Sequence, residues 1–233
     1  MIEGENFEIY LYIRRNKFVI YLLETQNLKN LYKDELKSNN NTDINFDELI
    51  KFLDNNIFKI EKLIGKFIEN IFLIIEDTKE LQVEVGIKKK NNDNVTNQKN
   101  LNQALVEAKD LFTENFQDYQ IIHMIICKFI INGKNSEIFI SNLNSEHIYL
   151  DLKFITLSND FTKKFDKILK RYQIKIKQFM SGKYIKEITT DDDKELSKFA
   201  YKIKSGSNPN EISIIPKIHE NKGFFEKFFQ LFS

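Results

Sequence analysis

The sequence predicts an α+β protein, and three features of the 233-residue chain support this prediction. Short segments with alternating apolar residues, such as 7–13 and 17–23, are typical of β-strands. Apolar residues three and four positions apart, above all within 43–70, are typical of amphipathic helices. Hydrophobic residues make up 42% of the chain, which is enough to bury a core.

Composition and charge argue against several classes of function. The formal net charge is +1, from 35 basic and 34 acidic residues, so we expect no nucleic-acid partner. The single cysteine, Cys127, cannot form an intramolecular disulfide, which fits a reducing compartment. No stretch reaches the roughly 18–20 apolar residues that span a bilayer. Because the first residues lack a basic segment before an apolar run, we expect no secretory signal and a cytoplasmic location.

The first part of the chain predicts a hairpin, a third strand and one long helix. Residues 14–16 form the hairpin turn, and 28–36 predict the third strand. The helix is predicted over 43–70, with Asn45 as its N-cap and Glu48 as the capping-box partner. Its apolar stripe comprises Leu49, Phe52, Leu53, Ile57, Ile60, Leu63, Ile64, Phe67 and Ile68.

The middle of the chain predicts alternating strands and helices. Strands are expected at 71–76, 81–87, 119–131, 138–140, 147–157 and 174–179. Residues 88–94 predict a solvated loop, and a third helix begins at Ser158 or Asn159 and runs to Tyr172. A second helix is expected over 97–117, with a buried face of Leu101, Leu105, Ala108, Leu111 and Phe112.

The last residues carry the strongest local signal for function. After residue 185 an acidic run and a loop-like SGSNPN segment predict a polar linker over 186–220. The helix predicted beyond it is too short to span a bilayer but could lie in the membrane interface. Its polar tether favours docking on a membrane or in a partner's groove over packing on the core. The candidate membrane-binding residues are Phe224, Phe225, Phe228, Phe229, Leu231 and Phe232 on one face, with Lys222 and Lys227 beside them.

Other candidate sites are weaker, and we predict no catalytic residue, no metal and no cofactor. His123 and Cys127 lie in an Ile-rich strand, where cysteine is usually a small buried hydrophobe, and His147 alone does not complete a zinc site. Asp191–Asp193 could hold a divalent cation, but a charge run in a linker is usually solvated.

Phosphate-binding motifs are not found in the sequence. Lys88–Lys90 could contact phosphate, although a loop tip is the simpler interpretation. Lys202, Lys204 and residues 205–207 lack the G-x-x-x-x-G-K spacing, and G-x-G-x-x-G does not occur.

Several short stretches, taken in order, resemble a known family. They are residues 100–112 (NLNQALVEAKDLF), 121–123 with 129–133 (IIH and FIING), 190–196 (TDDDKEL) and the closing NKGFFEKFF. These stretches resemble FtsA, the actin-like bacterial cell-division protein, in a reduced form lacking its second nucleotide-binding half. The resemblance implies an actin-like first-subdomain remnant at 1–78 and a strand-helix-strand-strand insertion subdomain at 79–185. A linker at 186–220 and an amphipathic membrane-targeting helix at 221–233 would follow.

The resemblance also implies a function. The family's first phosphate loop should fall at 13–17, but Ile13, Arg14, Arg15, Asn16 and Lys17 include no glycine to let the backbone approach a phosphate. We therefore expect a non-enzymatic adaptor, peripheral on the inner face of the cell membrane, that contacts other cell-division proteins and can self-associate. The alternatives are a platform protein of a pilus or secretion assembly, or a divergent nucleotide-binding enzyme.

Overall fold

The computed structural model describes residues 6–38, 42–77, 79–91, 94–189 and 195–212. Within these residues nine strands form two sheets and five helices pack on them, which confirms the mixed α+β class. The elements are β1 (Phe7–Arg14), β2 (Lys17–Glu24), β3 (Lys29–Lys37), α1 (Phe46–Ile64), β4 (Asn70–Glu76), β5 (Leu81–Lys90), α2 (Gln98–Asn115), β6 (Tyr119–Ile131), β7 (Lys134–Ser136), β8 (His147–Ser158), α3 (Asn159–Lys170), β9 (Lys175–Ser181), α4 (Gly182–Ile188) and α5 (Leu196–Lys204).

The larger sheet has the strand order β3-β2-β1-β4-β9. β1, β2 and β3 are antiparallel neighbours, whereas β4 runs parallel to β1 and β9 parallel to β4. Phe18 of β2 contacts Phe52 of α1, and the ring of Tyr12 on β1 faces Lys186 of α4. Because Phe18 pairs with Ile13, the neighbour of Tyr12, these two contacts lie on opposite faces of the sheet. Helices therefore cover both faces.

Helix α1 begins as predicted but ends earlier. The Asn45 side chain accepts hydrogen bonds from the backbone N–H groups of Asp47 and Glu48, so it is the N-cap. The helix stops at Ile64 rather than at 70 because Gly65 adopts a left-handed conformation with φ 72°. Phe67, predicted within the buried stripe, is consequently outside the helix and 83% exposed.

The smaller sheet is antiparallel, with the order β5-β8-β6-β7 and α2 on one face. Two predicted segments are corrected here. Lys88–Lys90 belong to β5 and not to a loop, because they pair with the first residues of β8. The short strand is Lys134–Ser136 rather than 138–140, since Asn132 and Gly133, both with positive φ, turn the chain straight back along β6.

The smaller sheet is inserted between β4 and α3. Residues 79–185 were expected to form one subdomain with two helices on its sheet, but α3 and β9 belong to the layer of the larger sheet. Leu111, predicted on the buried face of α2, is 53% exposed. Ile122, Ile155 and Leu157 of the smaller sheet enter the larger core, so the two sheets share apolar packing.

The segment predicted to be a linker is partly helical and buried. α5 places Leu196, Ala200 and Ile203 in the larger core, and residues 210–212 pair with the free edge of β6. The spacing of four and three residues between these apolar positions is a helical pattern. The acidic run before it and the SGSNPN segment after it, both typical of a linker, obscured this short pattern.

The first prediction tests the core. Leu53 on α1 is 1% exposed, so Leu53→Asp buries an unpaired carboxylate and should cost several kcal/mol of stability. Phe58→Asp on the same helix is the matched control, because Phe58 is 71% exposed and should tolerate the change. Urea unfolding would measure both, and equal midpoints would contradict the assignment of the core.

Candidate functional site

The carboxyl edge of the larger sheet is the first candidate for a ligand site. In open α/β sheets, ligands bind beyond the carboxyl ends of the parallel strands. β1, β4 and β9 end at this edge, where Glu76 fills the space with internal contacts. Its Oε2 accepts a hydrogen bond from the Tyr12 hydroxyl at 2.7 Å and lies 2.6 Å from Lys186 Nζ. Arg14 Nε lies 3.5 Å from its Oε1.

The turn between β1 and β2 lies where the resemblance to FtsA leads us to expect a phosphate loop. Arg15 and Asn16 form it, and neither adopts a positive φ. Arg15 Nε lies 3.7 Å from Oδ2 of the buried Asp77. At the end of β9, a Cβ on Gly182 would lie 3.0 Å from the Glu76 Cβ and 3.2 Å from the Ile75 carbonyl oxygen. The glycine at this edge thus allows α4 to pack against β4.

A buried polar network connects the two sheets. His123 Nε2 accepts a hydrogen bond from the Ser181 backbone N–H at 2.9 Å, so Nδ1 carries the ring proton and donates it to Glu211 Oε1 at 2.6 Å. The Tyr184 hydroxyl donates to Glu211 Oε2 at 2.8 Å, and Asn208 Nδ2 donates to that hydroxyl. The neutral imidazole therefore joins β6, the start of α4 and the segment at 208–211.

Ser181, His123 and Glu211 have the residue types of a hydrolytic triad but not its geometry. The Ser181 hydroxyl donates to Glu80 Oε2 at 2.9 Å and accepts from the Tyr184 N–H at 3.1 Å. His123 hydrogen-bonds to the backbone N–H of Ser181 and not to its hydroxyl. Ser181 is fully buried, so its hydroxyl has no path to a substrate. The network is structural, and no local sequence pattern could predict it, because Glu211 hydrogen-bonds to Tyr184 and to His123 across 27 and 88 residues of chain.

A third feature is the loop between α1 and β4, at the amino edge of the larger sheet. Gly65 turns the chain, the Glu61 side chain accepts a hydrogen bond from the Ile68 N–H at 3.1 Å, and Ile68 is buried. These contacts fix the backbone on both sides of Phe67. The loop therefore fixes the backbone position from which the exposed Phe67 ring projects.

Basic side chains surround Phe67. Two clefts of about 410 and 690 Å³ lie on either side of it; Lys66, Lys177 and Lys204 line the first, and Arg171 and Lys175 the second. Lys204 pairs with Glu8. Lys66, Arg171, Lys175 and Lys177 form no ion pair with any residue that the structure describes. We call Lys66, Phe67, Arg171, Lys175 and Lys177 the amino-edge surface.

The structure describes only some of the remaining predicted site residues. The Phe-rich segment from Lys222 to Phe232 and Asp191–Asp193 lie outside the described residues. Cys127, expected to be buried, is exposed, while His123 is buried. Lys202 and Lys204 lie in α5 rather than in a loop. Among the described residues, no group of three or more His, Cys, Asp or Glu side chains could hold a metal.

Comparisons with known proteins show only a distant likeness. No family model and no curated protein matches the chain. One similar solved structure is the cytoplasmic domain of EpsL, an inner-membrane component of the type II secretion system of Vibrio cholerae, with TM-score 0.41, 7% identity and coverage of 77% of this chain and 58% of that one. Another is a Bacteroides thetaiotaomicron protein with an actin-like ATPase fold, with TM-score 0.35, 10% identity and coverage of 82% and 59%.

The chain thus spans less than two thirds of either structure. Likenesses with TM-scores this low support no assignment of a fold family or of a function. No described helix is long and apolar enough to cross a membrane.

The second prediction concerns Glu80, which accepts a hydrogen bond from the Ser181 hydroxyl. Burial raises the pKa of Glu80 from 4.5 to about 7, and the nearby Glu76 and Asp77 add to the rise. A raised folded-state pKa gives stability that is present below the unfolded pKa and is lost as the pH rises through 7. Glu80→Gln should therefore stabilise the protein at pH 8, by about 2 kcal/mol, and change it little at pH 4.5.

Denaturant unfolding at the two pH values would measure this effect. Glu84→Gln is the matched control, because Glu84 is exposed on β5. A gain of equal size at both pH values would show that the ionisation of Glu80 is not its cause.

Proposed function

We propose that this protein is a non-enzymatic adaptor of the bacterial cell-division machinery that attaches peripherally to the inner face of the cytoplasmic membrane. The observation that carries the proposal is the amino-edge surface, where the exposed Phe67 lies among four cations that form no ion pair with any described residue, and Glu69 is the acidic residue that lines both clefts. An aromatic ring surrounded by basic side chains suits the interface of a membrane with anionic lipids.

The magnitudes indicate weak and reversible attachment. A basic residue near an anionic membrane surface contributes about 1 kcal/mol, and full burial of a phenylalanine about 1.5–3 kcal/mol. A single ring and four cations are therefore too little for permanent anchoring once the loss of translational freedom is counted. A second anchor is required.

The Phe-rich segment from Lys222 to Phe232 is the proposed second anchor. As a helix it would be roughly 17 Å long at 1.5 Å per residue, about half the hydrocarbon thickness, and would lie in the membrane plane. Its ring face would add several apolar side chains to the single Phe67. Two linked weak contacts bind more tightly than either one, since the second becomes intramolecular.

The absence of enzymatic activity is part of the proposal, and the filled carboxyl edge supports it. Tyr12 and Lys186 fill the carboxyl edge of the sheet through their contacts with Glu76, and the β1–β2 turn offers no glycine. The assignment to cell division depends on the stretches that resemble FtsA. A platform of a pilus or secretion assembly is the second candidate, because actin-like relatives with a comparable insertion serve there too.

The third prediction tests membrane attachment. Phe67→Asp should reduce co-sedimentation of the full chain with phosphatidylglycerol vesicles, because a carboxylate opposes both burial and the anionic surface. Phe225→Asp with Phe228→Asp should reduce it further, whereas Lys227→Ala should have little effect. Phosphatidylcholine vesicles should bind less in every case.

The matched control is Phe58→Asp, which changes an equally exposed ring in the middle of α1. Loss of binding in the control as well as in Phe67→Asp would mean that added negative charge, not the amino-edge surface, decides binding. Unchanged binding of Phe67→Asp would remove this surface from the proposal.

The fourth prediction tests the absence of a nucleotide site. Titration of ATP with magnesium into the protein should give no binding heat up to millimolar concentration, because Arg14 and Lys186 already form ion pairs with Glu76. Micromolar affinity would favour the divergent enzyme instead.

A further inference from the structure

The outer edge of the smaller sheet is a long and regular strand. β5 has ten residues, and all of them pair with β8 on one side without a bulge. The pairings β2–β3, β4–β9 and β6–β8 all contain register shifts. No strand pairs with the other side of β5 within the part of the chain that the structure describes. A long edge without bulges is a template for another strand.

The side chains of β5 alternate between two environments. Val83, Val85 and Ile87 are half-buried and pack toward α2, whereas Glu84 and Lys88 point to the solvent on the opposite face. A strand added at this edge would cover the exposed flanks of the three apolar side chains. The added strand must alternate with the same parity, apolar toward α2 and polar away from it.

We propose that a second copy of this chain supplies that strand, with the two β5 strands antiparallel about a two-fold axis at Gly86. In an antiparallel pair, directly opposed residues point to the same face, so the axis must pass through a residue for the apolar positions to match. With the axis at Gly86, Glu84 of each copy lies opposite Lys88 of the other copy, and Val85 of each copy lies opposite Ile87 of the other.

Neighbouring registers are less favourable. An axis at Glu84 would oppose two like charges, which is destabilising. An axis at Val85 would place Glu84 opposite Gly86 and leave it unpaired. An axis at Ile87 would place Gly86 opposite Lys88 and Val85 opposite Lys89, which already pairs with Glu107. The register with Gly86 on the axis also places Val83 opposite Lys89, but of these four registers it alone places Glu84 opposite Lys88 and Val85 opposite Ile87.

The charges on the edge are available for this pairing. Neither Glu84 nor Lys88 has an ion-pair partner among the described residues; Lys88 lies only over the ring of Tyr149, at 5.3 Å. Lys89 and Lys90, at the end of the strand, pair with Glu107 and Glu146. The lysines of β5 therefore do not repel a second copy as a bare basic cluster would.

Helix α2 adds apolar surface next to the edge. Leu111 and Val85 line one cleft of about 380 Å³ with Phe112 and Phe116. A two-fold axis perpendicular to the sheet keeps both α2 helices on the same face of the joined sheet. The exposed Leu111 of each copy then lies on the flank of the interface, which extends it beyond the two strands. This dimer does not depend on membrane binding, so it is a separate claim from the adaptor function.

The test is a charge reversal followed by sedimentation equilibrium of the full chain. Wild type should dimerise reversibly. In Glu84→Lys, residues 84 and 88 that face each other across the interface are both lysines, and in Lys88→Glu they are both glutamates. Each substitution should therefore raise the dissociation constant of the dimer about tenfold or more. An equimolar mixture of the two variants should dimerise again, because every mixed pair then opposes lysine with glutamate.

The double variant with Glu84→Lys and Lys88→Glu should also recover dimerisation. Lys59→Glu, an exposed charge reversal on α1, is the matched control and should dimerise like wild type. A monomeric wild type, single variants that dimerise as tightly as wild type, or a mixture that stays monomeric would each overturn the proposal. At protein concentrations low enough for every variant to be monomeric, thermal melts should be unchanged, since both side chains are exposed.

Discussion

The burial of the larger sheet on both faces is the constraint on which the rest of the structure depends. β1 and β2 hold unbroken runs of buried residues, including Tyr12, Ile13 and Phe18, instead of an alternation of buried and exposed positions. Such a sheet is stable only if helices cover both of its faces. α1 and α3 cover one face, and the other needs α4 and α5, which follow the inserted sheet in the chain. α4 and α5, which follow β9, are therefore part of the core.

The same constraint explains which parts of the structure could be predicted from sequence. Local signals sufficed for the hairpin, the Asn45 cap, the long apolar strand at Tyr119–Ile131 and the Ser158 cap, because each depends on residues close in the chain. α5 and the His123 network depend on contacts with residues far away in sequence. Gly65 shows that a local pattern can also mislead. This one left-handed residue ends the helix although the apolar periodicity continues, and Phe67 is therefore exposed. The amino-edge surface results from that one turn. The periodicity could not predict it, because it placed Phe67 in the apolar stripe of the helix.

Because helices cover both faces of the larger sheet and ion pairs fill its carboxyl edge, contacts with other molecules are left to the remaining edges. The amino edge offers Phe67 and its cations, and the smaller sheet offers β5. These two surfaces differ in chemistry, since one is basic and aromatic while the other is a row of backbone groups with matched charges. A surface of the first kind suits a lipid interface, and one of the second kind suits another strand.

His123 joins the two sheets that carry those two surfaces. It joins β6 of the smaller sheet to the end of β9 in the larger one, through a ring whose two nitrogens are both occupied. Ile122, Ile155 and Leu157 add apolar packing at the same junction. A dimer formed through β5 would then carry both amino edges in a fixed geometry and not on independent arms. Two weak membrane contacts held at a fixed separation gain more from the dimer than two flexible ones, because less freedom is lost when the second contact forms.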